Sequence, residues 1–212
     1  MYFSTYKSPE SVPNSNILVL FIDANDPDTE EPLNVIFEES LKLAESGGNN
    51  IHWFRTNPSL KLPELIGGIP RSNNLSMIHL HYGYNQIFSS IQLFCTKTLF
   101  INSITCSAIF IELQEINYLL TNSEFVNLLA LLKNTSNFIY FRRKKQLNNL
   151  NIFPVVLFLR DLEEQQKILV SMYTNNALNW KNKNEWKDLF GWKEGEMRRG
   201  NFVKFSVNFF LL

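Results

Sequence analysis

Two hydrophobic patterns recur along this chain. Ile17–Ile22 and Phe153–Leu159 are apolar without interruption, the signature of strands covered on both faces. After the first of these, Leu33, Ile36, Phe37, Leu41 and Ala44 recur every three or four positions, which predicts a helix with one buried stripe. Asp28 or Thr29 supplies its cap, Glu30 and Glu31 suit its positive end, Pro32 fits its first turn and Gly47-Gly48 ends it.

Further along, Ile51–Arg55 predicts a second strand, Pro58–Ile66 a short helix or turn, and Ser76–His81 a third strand. Ser90–Leu93 alternates like a strand, and Leu99–Tyr118 is strand, helix or one of each. Thr121-Asn122-Ser123-Glu124 is a capping box, opening a helix with Phe125, Leu128, Leu129 and Leu132 on one face. Phe138–Phe141 then predicts a strand running into Arg142-Arg143-Lys144-Lys145, and Asp161-x-x-Glu164 predicts the cap of a helix reaching about Tyr173. Val203, Phe205, Val207, Phe209 and Leu211 alternate strictly, so a terminal strand is expected, paired with the edge of this sheet or with another chain.

Successive strand–helix–strand units imply right-handed crossovers and a mainly parallel sheet. The expected fold is therefore three-layer α/β, with a sheet flanked by helices. Residues 1–15 are expected to be a flexible lead-in, 16–146 the α/β core, and 147–212 its continuation or a small α+β subdomain.

Composition narrows the function classes. Hydrophobic residues make up 45% of the 212, with 18 Phe, enough for a large aromatic core. Lys plus Arg equals Asp plus Glu, at 20 each, so no net charge draws the chain to nucleic acid or an anionic membrane. Charged residues are only 19%, which favours burial of some surface against a protein partner or a second copy. With only Cys95 and Cys106, a disulfide scaffold is excluded and a reducing, cytoplasmic setting is expected. The first residues carry no basic stretch followed by an apolar core, so no signal peptide is expected, and no apolar run has the length of a membrane span.

Several residues are candidates for chemistry. His79 and His81 are two apart on a strand and share a face, a recognised metal-binding arrangement. His52 begins its strand whereas His81 ends its own, which argues against a three-His site and leaves Asp23 as the better third ligand. Histidine in a polar crevice is the commoner explanation, and no metal or other cofactor is expected. His81, or His79, with Cys106 or Cys95 would make a nucleophile pair, set against the buried inert thiol that most lone cysteines are. Asp23, Asp26 and Asp28 cluster at the first turn, where they would meet a ligand, although turn and cap chemistry accounts for them. That turn lacks the glycine-rich phosphate fingerprint. The run Arg142–Lys145 and the interleaved Trp180, Trp186 and Trp192 with Lys181, Lys183 and Lys187 offer charge and stacking for nucleic acid. A solvated loop and tryptophans covering core or a partner are the commoner uses, so nucleic acid is not expected.

The stretch NILVLFIDANDPDTEEPLNVIFEESLKLAES, residues 16–46, resembles the opening of CHAT domains, the caspase-like modules of bacterial signalling and defence proteins. Its turn, Ala24-Asn25-Asp26-Pro27-Asp28-Thr29, is similar to the family's turn with one residue displaced. Ile78–Tyr84 looks like the strand leading to the family's catalytic His-Gly, and Thr121–Leu132 with Phe138–Phe141 looks like the helix and strand carrying its nucleophilic Cys. The resemblance covers about residues 16–145 and implies a caspase-like fold. It does not carry the catalytic pair, because Gly83 stands at the His position and the nucleophile strand ends in Phe141-Arg142-Arg143. The expected function is a catalytically degenerate module of protein–protein interaction or regulation. The alternatives are a divergent cysteine peptidase using His81 or His79 with Cys106, and a small-ligand-sensing α/β domain.

Overall fold

The uninterrupted apolar runs become the inner strands of the sheet. A computed structural model of the chain describes residues 17–22, 30–47, 50–58, 72–83, 86–98, 105–114, 120–147, 155–174 and 177–179. Its elements are β1 (Ile17–Ile22), α1 (Glu30–Gly47), β2 (Asn50–Arg55), α2 (Ser72–Ser76), β3 (Ile78–Tyr82), α3 (Ile87–Leu93), a π-helical turn (Phe94–Thr98), β4 (Cys106–Leu113), α4 (Asn122–Leu147), β5 (Val155–Arg160), α5 (Glu164–Tyr173) and β6 (Ala177–Asn179). One six-stranded sheet has the order β3-β2-β4-β5-β1-β6, and every pairing in it is parallel. β5 lies between β4 and β1, and all its residues except Arg160 are buried.

Period-two alternation splits the core into two layers. Leu20, Trp53, Phe110 and Phe158 point to the face covered by Ile36, Phe37 and Leu41 of α1. Val19, Phe54, Ile111 and Leu157 point to the opposite face, covered by α3, the π-helical turn, α4 and α5. The fold is three-layer α/β. Phe110, Phe125 and Phe158 are almost wholly buried, and each such side chain contributes roughly 1.5–3 kcal/mol of hydrophobic stabilisation. At the β1 edge of the core, the Thr174 hydroxyl donates to the Ile17 carbonyl at 2.6 Å, fastening the end of α5 to the start of the first strand.

Local capping chemistry accounts for the start of α4. The Glu124 N–H donates to the Thr121 hydroxyl at 3.3 Å, and the Thr121 N–H donates to the Glu124 carboxylate at 2.8 Å. Those bonds from Thr121 hold the Glu124 carboxyl below its ordinary value. At α5 the cap is Glu163, whose N–H donates to the Gln166 side chain at 3.0 Å. Asp161, expected to cap, instead adopts φ 63° directly after β5, with its N–H on the Ile22 carbonyl at 3.0 Å. Aspartate is among the few non-glycine residues that enter this left-handed region readily.

Three expectations are corrected. Ser90–Leu93 is helical, because Ile87 and Ile91 are buried four apart while Leu93 is 53% exposed; over four residues, period two and period 3.6 look alike. Phe138–Phe141 is not a strand but part of α4. Ser136 and Ile139 are buried and extend the stripe of Phe125, Leu128, Leu129 and Leu132, and no Gly or Pro interrupts residues 121–147. The third strand starts at Ile78, since the Ser76 hydroxyl is used within α2, donating to the Asn73 carbonyl. The strand expected at 153–159 is described over Val155–Arg160, and Phe153 and Pro154 fall outside the described residues. Within Leu99–Tyr118 the described segment is strand β4. The turn or helix expected from Pro58 falls outside the described residues past Pro58 itself, as do the first-turn aspartates, the Trp/Lys tail and the alternating C-terminal run.

Candidate functional site

All three histidines of the chain meet on one face of β2 and β3. Register pairs His52 with His79 and Phe54 with His81, so period two puts the four rings on the same side of the sheet. This corrects the expectation that His52 stands at the opposite end from His81. Both strands are short, and the two positions differ by only two residues along the ladder. His52 Nδ1 lies 3.0 Å from His81 Nε2, a hydrogen bond whose donor depends on the tautomers. His79 stacks on His52 at 5.0 Å and 18°, and His81 stacks on Phe54 at 4.5 Å and 12°. Phe94, from the π-helical turn, covers His52 at 4.4 Å.

Burial, followed by the charges of His81 and His79, pulls the His52 imidazole down to about 4. Burial and the charge of His79 lower His81 as well. The pair is neutral at pH 7. Among the described residues no group of three His, Cys, Asp or Glu side chains is arranged to hold a metal ion.

Neither thiol joins this cluster as a nucleophile. Cys106 begins β4 opposite Asn50, whereas His81 is opposite Phe54 on the far side of β2. Four residues of strand rise place them about 13 Å apart lengthwise, with roughly 9–10 Å more across two strand spacings. Cys106 is 1% exposed, with its Sγ on the Ala108 carbonyl at 3.5 Å. Cys95 is buried, and desolvation pushes its thiol up to about 11 despite a hydrogen bond with Thr135. The pairing of Cys106 with His81 or His79 is therefore corrected, because an imidazole must reach a thiol to make the thiolate.

A second constellation lies at the carboxyl ends of the strands. Arg55, last in β2, is in register with Glu112 of β4. Its Nε donates to one Glu112 carboxylate oxygen at 2.7 Å and its Nη2 to the other at 3.3 Å. The Gln114 amide adds a 2.6 Å bond to the same carboxylate, and the guanidinium lies 5.7 Å from the Trp53 ring centroid. The Arg55 and Glu112 side chains are only 12% and 4% exposed. β2 is followed by α2, which packs through Leu75 on the α1 side, while β4 is followed by α4 on the other side. Adjacent strands whose following helices lie on opposite faces form a topological switch point, and parallel sheets usually take ligands at the carboxyl ends of such strands.

No family model and no curated protein matches this chain. What its site can do is therefore argued from its own residues. Asp23, Asp26 and Asp28 fall outside the described residues. Arg55 and Glu112 escaped the sequence reading, although a carboxylate inside the apolar run Ala108–Leu113 was a usable signal of a buried partner. Among the described residues, no helix is long and apolar enough to cross a membrane.

Proposed function

We propose that this domain is a binding or regulatory module of the caspase-like CHAT type, acting in signalling or defence without peptidase chemistry. The observation that carries the reading is the separation of Cys106 from His81 by two strand spacings and four residues of register. The resemblance rests on the opening strand–turn–helix and on the strand bearing His79 and His81, since Phe138–Phe141 is helical. What supports a protein partner is the exposure of Leu80 and Tyr82, 40% and 46%, on β3, which is an edge strand among the described residues. The test is iodoacetamide alkylation of Cys106 and Cys95 from about pH 5 to about pH 9, in the unmodified protein and in His81→Ala. Slow reaction, titrating no lower than an ordinary thiol in both proteins, is expected. A thiol reactive below neutral pH that loses this reactivity in His81→Ala would make the protein a cysteine peptidase instead.

The switch point between β2 and β4, with Arg55, Glu112 and Gln114 at it, favours a second reading, a sensor of a small ligand. A ligand seated against Gln114 would stabilise the fold by roughly 2.7 kcal/mol at a hundredfold excess over its dissociation constant. Thermal unfolding against a metabolite panel checks this. The shift should disappear in Gln114→Ala, and a panel that moves nothing in the unmodified protein sets the reading aside.

A further inference from the structure

Among the described residues, strand β3 is held to the sheet on one side alone, by β2. None of its five side chains is fully buried. A strand with so few core contacts opens more readily than the strands inside the sheet, so a side-chain bond across to β2 weighs heavily in keeping it closed. That bond is the 3.0 Å contact between His52 and His81. We propose that His52 and His81 form an acid-released latch, which fastens β3 to β2 while the pair shares a hydrogen bond and frees β3 once both rings are fully protonated. The latch stands independently of the reading of the domain as a binding module.

The proton count shows why two protons are needed. In the neutral pair one ring donates its N–H to the bare nitrogen of the other. The first added proton goes to the outer nitrogen of the donor ring and leaves that bond in place. The second can go only to the accepting nitrogen, so that two N–H groups then face each other at hydrogen-bond distance and two like charges lie side by side. Sites coupled in this way titrate as a pair in separated steps.

Among the described residues, no acidic group faces the pair to offset those charges. The charges bearing on His52 are those of His81 and His79, and the one bearing on His81 is that of His79, all of the same sign once protonated. From the helix layer, Phe94 packs on both rings. On the same turn Cys95 stays a neutral thiol and Lys97 is exposed. From β4, the residue in register with His52 is Ile109. Arg55 points to the other face and is paired with Glu112. An unfolded imidazole takes up a proton near its ordinary value of 6.5, but His52 does so only near 4. The open state therefore binds more protons than the closed one between those values, and closure weakens as the pH falls through that window.

Hydrogen exchange of the full chain, read by mass spectrometry and corrected for intrinsic rates, tests the latch. Between about pH 7.5 and about pH 5 the opening equilibrium of residues 78–82 should rise roughly tenfold or more, while β4 and β5 keep their protection. In His81→Phe, which keeps a ring on Phe54 but has no nitrogen, opening should not depend on pH. Opening of β3 that stays flat across this range, a rise shared equally by β4 and β5, or a rise that survives in His81→Phe would each overturn the proposal. Should His81→Phe fail to fold, ring titration of the unmodified protein by NMR decides. Two separated steps for His52 and His81 support the latch, and independent titration of all three histidines near the ordinary value refutes it.

Discussion

Arg55→Met will destabilise the fold by about 3–5 kcal/mol, the loss expected when one partner of a buried ion pair is removed. The Glu112 side chain is 4% exposed, and without the guanidinium its only remaining bond shown is that from Gln114. A carboxylate left there must either stay charged in a poorly solvated place or bind a proton, and both are unfavourable. Arg55→Met combined with Glu112→Leu should recover most of the loss, since replacing both partners by apolar groups of similar volume is often neutral or stabilising by about 1–4 kcal/mol. Urea unfolding of both single variants and the double variant measures this, and the cycle isolates the pair from its surroundings. A single Arg55→Met loss below about 1 kcal/mol would place the pair in the range of exposed ion pairs, with Glu112 reached by water. The result bears on function because this pair forms the wall against which any ligand at the switch point would sit.

The inner strands were legible because their chemistry is local. The runs Ile17–Ile22 and Val155–Leu159 are apolar throughout, and only a strand covered on both faces uses such a run. The start of α4 was legible too, since both halves of its capping box lie within four residues. Register is not local. His52 and His81 are 29 residues apart, and Arg55 and Glu112 are 57 apart. Neither pairing could be read without knowing that β2 lies between β3 and β4. His52 and His81 come from opposite halves of their strands, but both strands are short, and two residues along the ladder still leave the rings within reach. Phe138–Phe141 failed for another reason. Four residues rich in aromatic and β-branched side chains favour a strand by propensity, but the stripe begun at Phe125 continues in phase through Ile139 and tertiary burial overrides the preference.

Ile139→Ala should therefore cost about 2–5 kcal/mol, whereas Phe138→Ala and Phe141→Ala should each stay within roughly 1 kcal/mol. Ile139 is wholly buried, and Phe138 and Phe141 are 42% and 44% exposed, an arrangement that follows from helical spacing. A strand would order them differently, with Ile139 and Phe141 on one face and Phe138 and Tyr140 on the other. Chemical denaturation of the three variants separates the two geometries without any structural measurement. Equal losses at Ile139 and Phe141, with little at Phe138, would turn this segment back into a strand. It would then again match the element that carries the nucleophile in the CHAT family, and Arg142 would stand where the family's cysteine belongs. A large loss at Ile139 alone keeps α4 continuous to Leu147. In that case the segment offers no strand end at which a nucleophile could be presented, and a function for this domain has to be sought at the switch point between β2 and β4 and along β3.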